Sequence, residues 1–148
     1  MAVTATPIFA QTPYAKSLTL AAQTACTTRA PTATASLAAA NIVAFVPVST
    51  NGLRIDAIQV QACSTSITAP TAANLVGIWA WDGTTAYLIT EIVVTAQTPS
   101  TTAPAFTTTY TLPNPLNLPA TFALYASVTV TTTASTTALQ VTAFGGAY

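Results

Sequence analysis

Charge is what this chain most conspicuously lacks. Three cations (Lys16, Arg29, Arg54) face three anions (Asp56, Asp82, Glu91) in 148 residues, there is no histidine, and charged residues make up 4% against about 25% in an ordinary globular domain. Three scattered cations cannot neutralise the row of phosphates on which nucleic-acid affinity is built, so direct nucleic-acid binding is not expected. An anionic membrane surface and an acidic partner are disfavoured for the same reason. The missing histidine removes Ser-His and Cys-His nucleophile pairs. Five glycines (Gly52, Gly77, Gly83, Gly145, Gly146) are too few and too dispersed to form a phosphate cradle. Two cysteines, Cys26 and Cys63, are too few for a metal site without histidine partners and read as small buried thiols rather than a disulfide. No cofactor is expected.

Long apolar runs are missing as well. Hydrophobic residues reach 51%, but 32 threonines interrupt them, so no stretch approaches the roughly 18 residues of a membrane-spanning helix. The first ten residues lack the basic flank and apolar stretch of a secretory signal.

What is present is β-forming. Threonine, valine and isoleucine dominate, and their branched Cβ atoms suit a pleated strand and crowd a helix. Only the alanine-rich residues 34–40 suggest a short helical turn. Strands are expected at residues 17–28, 41–48, 53–63, 74–81, 86–96, 105–112, 121–132 and 138–144, with loops at 98–104 and 113–119. Asp82-Gly83 has the chemistry of a tight hairpin and Asn51-Gly52 marks another turn. In 121–130 one face carries Phe122, Leu124, Ala126, Val128 and Val130 and the other is largely polar, whereas both faces of 74–81 are apolar. The expected fold is an all-β, eight-stranded antiparallel two-sheet sandwich, jelly-roll-like, with an immunoglobulin-like sandwich as second choice. Residues 1–14, with Pro7, Phe9, Pro13 and Tyr14, form an extended arm available for an interface, and residues 15–148 form the single domain.

Few residues invite chemistry. A carboxylate pair drawn from Asp56, Asp82 and Glu91 would suit glycoside hydrolysis, but each has a structural reading: Asp82 belongs to a hairpin, and Arg54 is expected to pair with Asp56 or Glu91. Trp79 and Trp81 share one strand face and serve either as core or as a contact surface. An enzyme is not expected. From Ile92 to Tyr148 no side chain is charged, so strand edges lack the lysines that normally prevent edge-to-edge association. The chain is expected to cover them with like subunits in a closed oligomer, a trimer being favoured.

Five segments carry a family likeness: RIDAIQV (54–60), IWAWDG (78–83), LITEI (88–92), TPS (98–100) followed by Pro104-Ala105-Phe106, and the ending VTAFGGAY (141–148). Across about the last two thirds of the chain they resemble small virion proteins of tailed bacteriophages, including capsid decoration or cement proteins. The resemblance implies a compact β fold that oligomerises on the capsid surface and bridges neighbouring copies of the major capsid protein. It implies synthesis in the host cytoplasm and no catalytic motif. The alternative is a tail or fibre component that binds host glycans through exposed aromatics such as Trp79 and Trp81.

Overall fold

The computed structural model describes residues 12–29, 37 and 41–148. They form β1 (Thr12–Leu20), β2 (Val43–Val46), β3 (Leu53–Ala62), β4 (Asn74–Trp81), β5 (Ala86–Val94), β6 (Thr107–Leu118), β7 (Ala123–Val128) and β8 (Leu139–Ala147). The strands make two four-stranded sheets, β1-β8-β3-β6 and β2-β7-β4-β5, and every pairing is antiparallel. The all-β sandwich expected from sequence is therefore the observed architecture. Its pairings are nested, β1 with β8, β2 with β7, β3 with β6 and β4 with β5, as if one long hairpin had been rolled onto itself. An immunoglobulin order, which sets the first strand beside the second, is not found: β1 lies beside β8.

The core lies between the sheets. Val76, Ile78, Leu124, Ala126 and Val128 meet Ile55, Ile58, Val60, Val141 and Ala143, all fully buried, and each large aliphatic among them contributes roughly 1.5–3 kcal/mol by leaving water. Ile55 and Ile58 cannot share a face under strict two-residue alternation. A register shift between Ile55 and Ala57 solves this: Gly145 opposes Ile55 and Phe144 opposes Ala57, so Asp56 is one residue extra and both isoleucines point inward. At that bulge β8 approaches β3 so closely that a Cβ on Gly145 would land on the Arg54 carbonyl oxygen.

The bulge also corrects the expectation of a loop at 113–119. Thr111 pairs with Ala57 and Leu116 with Ile55, so residues 112–115 swell outward opposite Asp56 alone while β6 runs on to Leu118. Pro113 and Pro115 are tolerated because β6 is an edge strand and the missing donors fall in a bulge. The arm boundary is corrected too. β1 starts at Thr12, so Pro13 and Tyr14 belong to the sheet, opposite Gly146 and Gly145. Here proline again sits on an edge, where no ladder donor is required. Pro7, Phe9 and the rest of the proposed arm lie outside the described residues, as does the helical turn at 34–40 apart from Leu37. The two turns are as expected: Gly52 (φ 86°) and Gly83 (φ 100°) take left-handed backbone conformations.

Candidate functional site

The second apolar face of β4 is covered by the chain itself. Trp79, 2% exposed, clusters with Cys26, Leu37, Ile42 and Ala86, and Trp81, Leu88 and Tyr125 pack around them. The indole N–H of Trp79 donates to Ser127 Oγ at 2.9 Å. This satisfies a donor that would cost about 1–3 kcal/mol if buried without a partner. Trp79 is thus a core residue of this chain. Trp81 is half-buried and meets Tyr125 edge-on, with ring centroids 6.4 Å apart. The outer face of β7, expected to be wet, is largely covered: Ala123 and Ser127 are buried.

Gly77 makes this arrangement possible. A Cβ there would stand 2.7 Å from Ser127 Oγ and 3.0 Å from Trp79 Nε1, so any larger residue would push apart the pair that holds the indole. Its cross-strand partners are Ser127 on β7 and Glu91 on β5.

Residues 23–29 cross this face. Gln23 N–H donates to Thr132 Oγ1 at 3.0 Å and Ala25 N–H to Thr131 Oγ1 at 3.2 Å. Cys26 N–H donates to the Val128 carbonyl at 2.7 Å, and Asn41 Nδ2 donates to the Ala25 carbonyl at 2.9 Å. The crossing ends on β5, where Arg29 Nε meets Glu91 Oε1 at 2.8 Å. This separates the two partners expected for Arg54. Arg54 does pair with Asp56 (2.7 Å), but not with Glu91, because β3 and β5 belong to different sheets. Beneath the crossing lies a cavity of about 270 Å³, open on one side and lined by residues 26–29, Leu75, Gly77, Trp79, Glu91, Ser127 and Thr129.

Every carboxylate has a local partner. Asp82 Oδ1 accepts from Thr85 N–H and Thr84 N–H, both at 2.7 Å, and from Thr84 Oγ1, while Tyr87 O–H donates to Oδ2. The Thr85 and Thr84 backbone donors hold its pKa down at about 2. Asp56 and Glu91 face the two arginines. Both cysteines are free; burial pushes the Cys63 thiol up from its ordinary value, and the Tyr14 phenol likewise.

Sequence reasoning missed Arg29, Ser127 and Cys26. Arg29 and Glu91 are 62 positions apart, and no local pattern joins them. Gly77 was the available signal, since a glycine inside an apolar strand marks a close approach. No family model matches the chain, and no curated protein and no solved structure matches it either.

Proposed function

We propose that this chain is a structural, non-enzymatic virion protein: a capsid decoration (cement) protein that oligomerises on the head of a tailed phage, a trimer being favoured, and bridges neighbouring major capsid subunits. The nested strand order is read as a jelly roll, the double Greek key common in capsid proteins. One observation carries the assembly part of the proposal, the contrast between β5 and the other sheet edges. β1 carries Pro13 and Lys16, β6 carries Pro113 and Pro115, and β2 has four residues and is followed by Pro47. β5 has nine residues, no proline and no cation, and its one charge, Glu91, is engaged by Arg29. It exposes Tyr87 (49%), Ile89 (36%) and Val93 (60%). Such an edge is a template for another strand or an apolar neighbour.

The outer face of the β1-β8-β3-β6 sheet supports docking without ions. Thr19, Gln140, Gln61 and Thr107 lie in one cross-strand row, and Ser17, Thr142, Gln59 and Thr109 in the next. The rows are partly self-bonded, Ser17 Oγ to Thr142 Oγ1 at 2.9 Å and Gln61 Nε2 to Gln140 Oε1 at 2.6 Å. A shell contact through such a face is built from hydrogen bonds and methyl groups and responds weakly to salt.

Light scattering on the eluting protein tests the self-association. Wild type is expected to elute as an oligomer, and Ile89→Lys with Val93→Lys as a folded monomer. A wild type that stays monomeric at millimolar subunit concentration refutes it. Occupancy on particles washed in molar sodium chloride tests the shell contact, and complete stripping at neutral pH refutes that part. The alternative, a tail or fibre protein stacking host glycans on exposed tryptophans, loses Trp79 as a platform because that ring is covered.

A further inference from the structure

We propose that the cavity beneath residues 26–29 is a binding site for one ring of a neutral saccharide. Its charges are arranged as a matched pair. Arg29 uses Nε and Glu91 uses Oε1 for their mutual contact, so the terminal guanidinium nitrogens and Oε2 make no hydrogen bond to the described residues. Arg29 is largely exposed and Glu91 partly so, so neither group must be dragged out of the core to meet a ligand. Donors beside an acceptor suit vicinal hydroxyls, each of which accepts one bond and donates another.

Ser127 supplies a second, independent observation. It is buried at 3% exposure, and its oxygen receives the Trp79 N–H. No acceptor among the described residues takes its hydroxyl proton, which is left to donate into the cavity that Ser127 lines. Leu75 supplies an apolar wall for the C–H groups of a sugar, and Gly77 leaves room there beside Ser127 Oγ and the Trp79 indole nitrogen. One cation and one anion in the lining cancel, so neither a phosphate nor an ammonium compound gains a net attraction. A volume of about 270 Å³ lies just below the roughly 300 Å³ at which drug-sized pockets begin, which limits the occupant to a single ring. Ligand binding tests this site and light scattering tests the assembly, so the two proposals fail separately.

The experiment is a titration of the full chain, followed by amide ¹H–¹⁵N shifts and tryptophan fluorescence. The probes are D-glucose, D-galactose, D-mannose and N-acetyl-D-glucosamine, with inorganic phosphate and glycine as charged comparisons. The expected result is saturable binding of at least one sugar at millimolar concentration, with shifts confined to residues 26–29, Gly77, Glu91 and Ser127 and weaker responses to phosphate and glycine. Glu91→Gln and Arg29→Gln, each with an unchanged circular dichroism spectrum, are expected to weaken binding at least tenfold, whereas Lys16→Gln leaves it unchanged. No saturable response up to about 100 mM, shifts centred elsewhere, an equal response to phosphate or glycine, or full affinity in both variants would each overturn the proposal. Should either variant fail to fold, the wild-type shift map decides alone.

Discussion

Asn74 is the side chain whose removal should tell most about how the outer face of the β4-containing sheet is held. It is buried at the start of β4. Its Oδ1 accepts from the backbone N–H groups of Leu75 (2.9 Å), Thr129 (3.0 Å) and Val130 (3.0 Å), and its Nδ2 donates to the Val130 carbonyl at 2.8 Å. Two of these groups have a second partner: Leu75 N–H also reaches Thr129 Oγ1, and Thr129 N–H reaches the Leu75 carbonyl. Val130 depends on Asn74 for both its N–H and its C=O. Truncation to alanine therefore strands two main-chain groups at a half-exposed position, at about 1 kcal/mol each, and weakens two more, for a total of about 2–3 kcal/mol. For a chain of this length that lowers Tm by roughly 5–10 °C. The loss should spread to the cavity, because Thr132, two residues beyond Val130, donates to the Leu20 carbonyl at 2.8 Å and receives Gln23 N–H. The assay is urea and thermal unfolding followed by circular dichroism. Asn74→Asp keeps the acceptor, loses the donor and sets a carboxylate oxygen against the Val130 carbonyl, so it should be destabilised at pH 7 as well. Asn114→Ala, on the exposed bulge of β6, should stay within about 0.5 kcal/mol of wild type. An Asn74→Ala protein as stable as Asn114→Ala would refute the reasoning.

Gly145→Ala and Gly83→Ala should separate crowding from backbone preference. At Gly145 the new methyl meets the Arg54 carbonyl, so β8 must part from β3 and soluble folded yield should collapse; at Gly83, where φ is 100° and nothing lies within 4 Å, the loss in urea unfolding should be only about 1 kcal/mol. The pKa of Asp82 is about 2 in the folded chain and about 3.9 unfolded. The unfolded chain therefore binds more protons between these values, and the Asp82 contribution is complete above about pH 4 and lost as pH falls through about 2. Asp82→Asn should flatten that part of the pH–stability profile, a small effect at an exposed turn, and an unchanged profile counts against the turn network. Because burial raises the Cys63 pKa and Cys26 is buried, a thiol reagent should label the native protein slowly at pH 7 and both thiols rapidly in denaturant. Rapid native labelling, or recovery of fewer than two thiols, would contradict the free and sheltered cysteines.

Strands were the legible part of this chain because their signal is local: branched residues at two-residue spacing, bounded by Asp82-Gly83 and Asn51-Gly52. Eight were expected, and eight form the two sheets. What the pattern hid depends on position within a sheet. Pro113 and Pro115 forbid a central strand but not a bulged edge, and Pro13 is equally harmless at the rim. A one-dimensional reading does not know which strands are edges. The site was less legible still. Trp79 was flagged by its apolar strand, yet its partner Ser127 lies 48 positions away and looked like part of a wet face. The Arg29–Glu91 contact needs a crossing of three strands, β7, β4 and β5, that only the topology reveals.

That topology also refines what the shortage of charge means. A chain with six charged side chains cannot guard its sheet edges in the usual way, yet most of its rims are guarded. Lys16 has the parity of Leu18 and Leu20, whose partners Val141 and Leu139 face the core, but stays exposed on the rim strand, which is an inward-facing charge used as a spacer. Proline and a bulge serve β6, and brevity serves β2. These devices cost little net charge. Association is therefore expected of β5 rather than of the overall composition, and a lysine at Ile89 or Val93 should remove it while leaving the other rims as they are. If both lysine variants instead associate like wild type, the contact lies on another surface, and the row of unprotected residues on β5 is a feature of the isolated subunit alone.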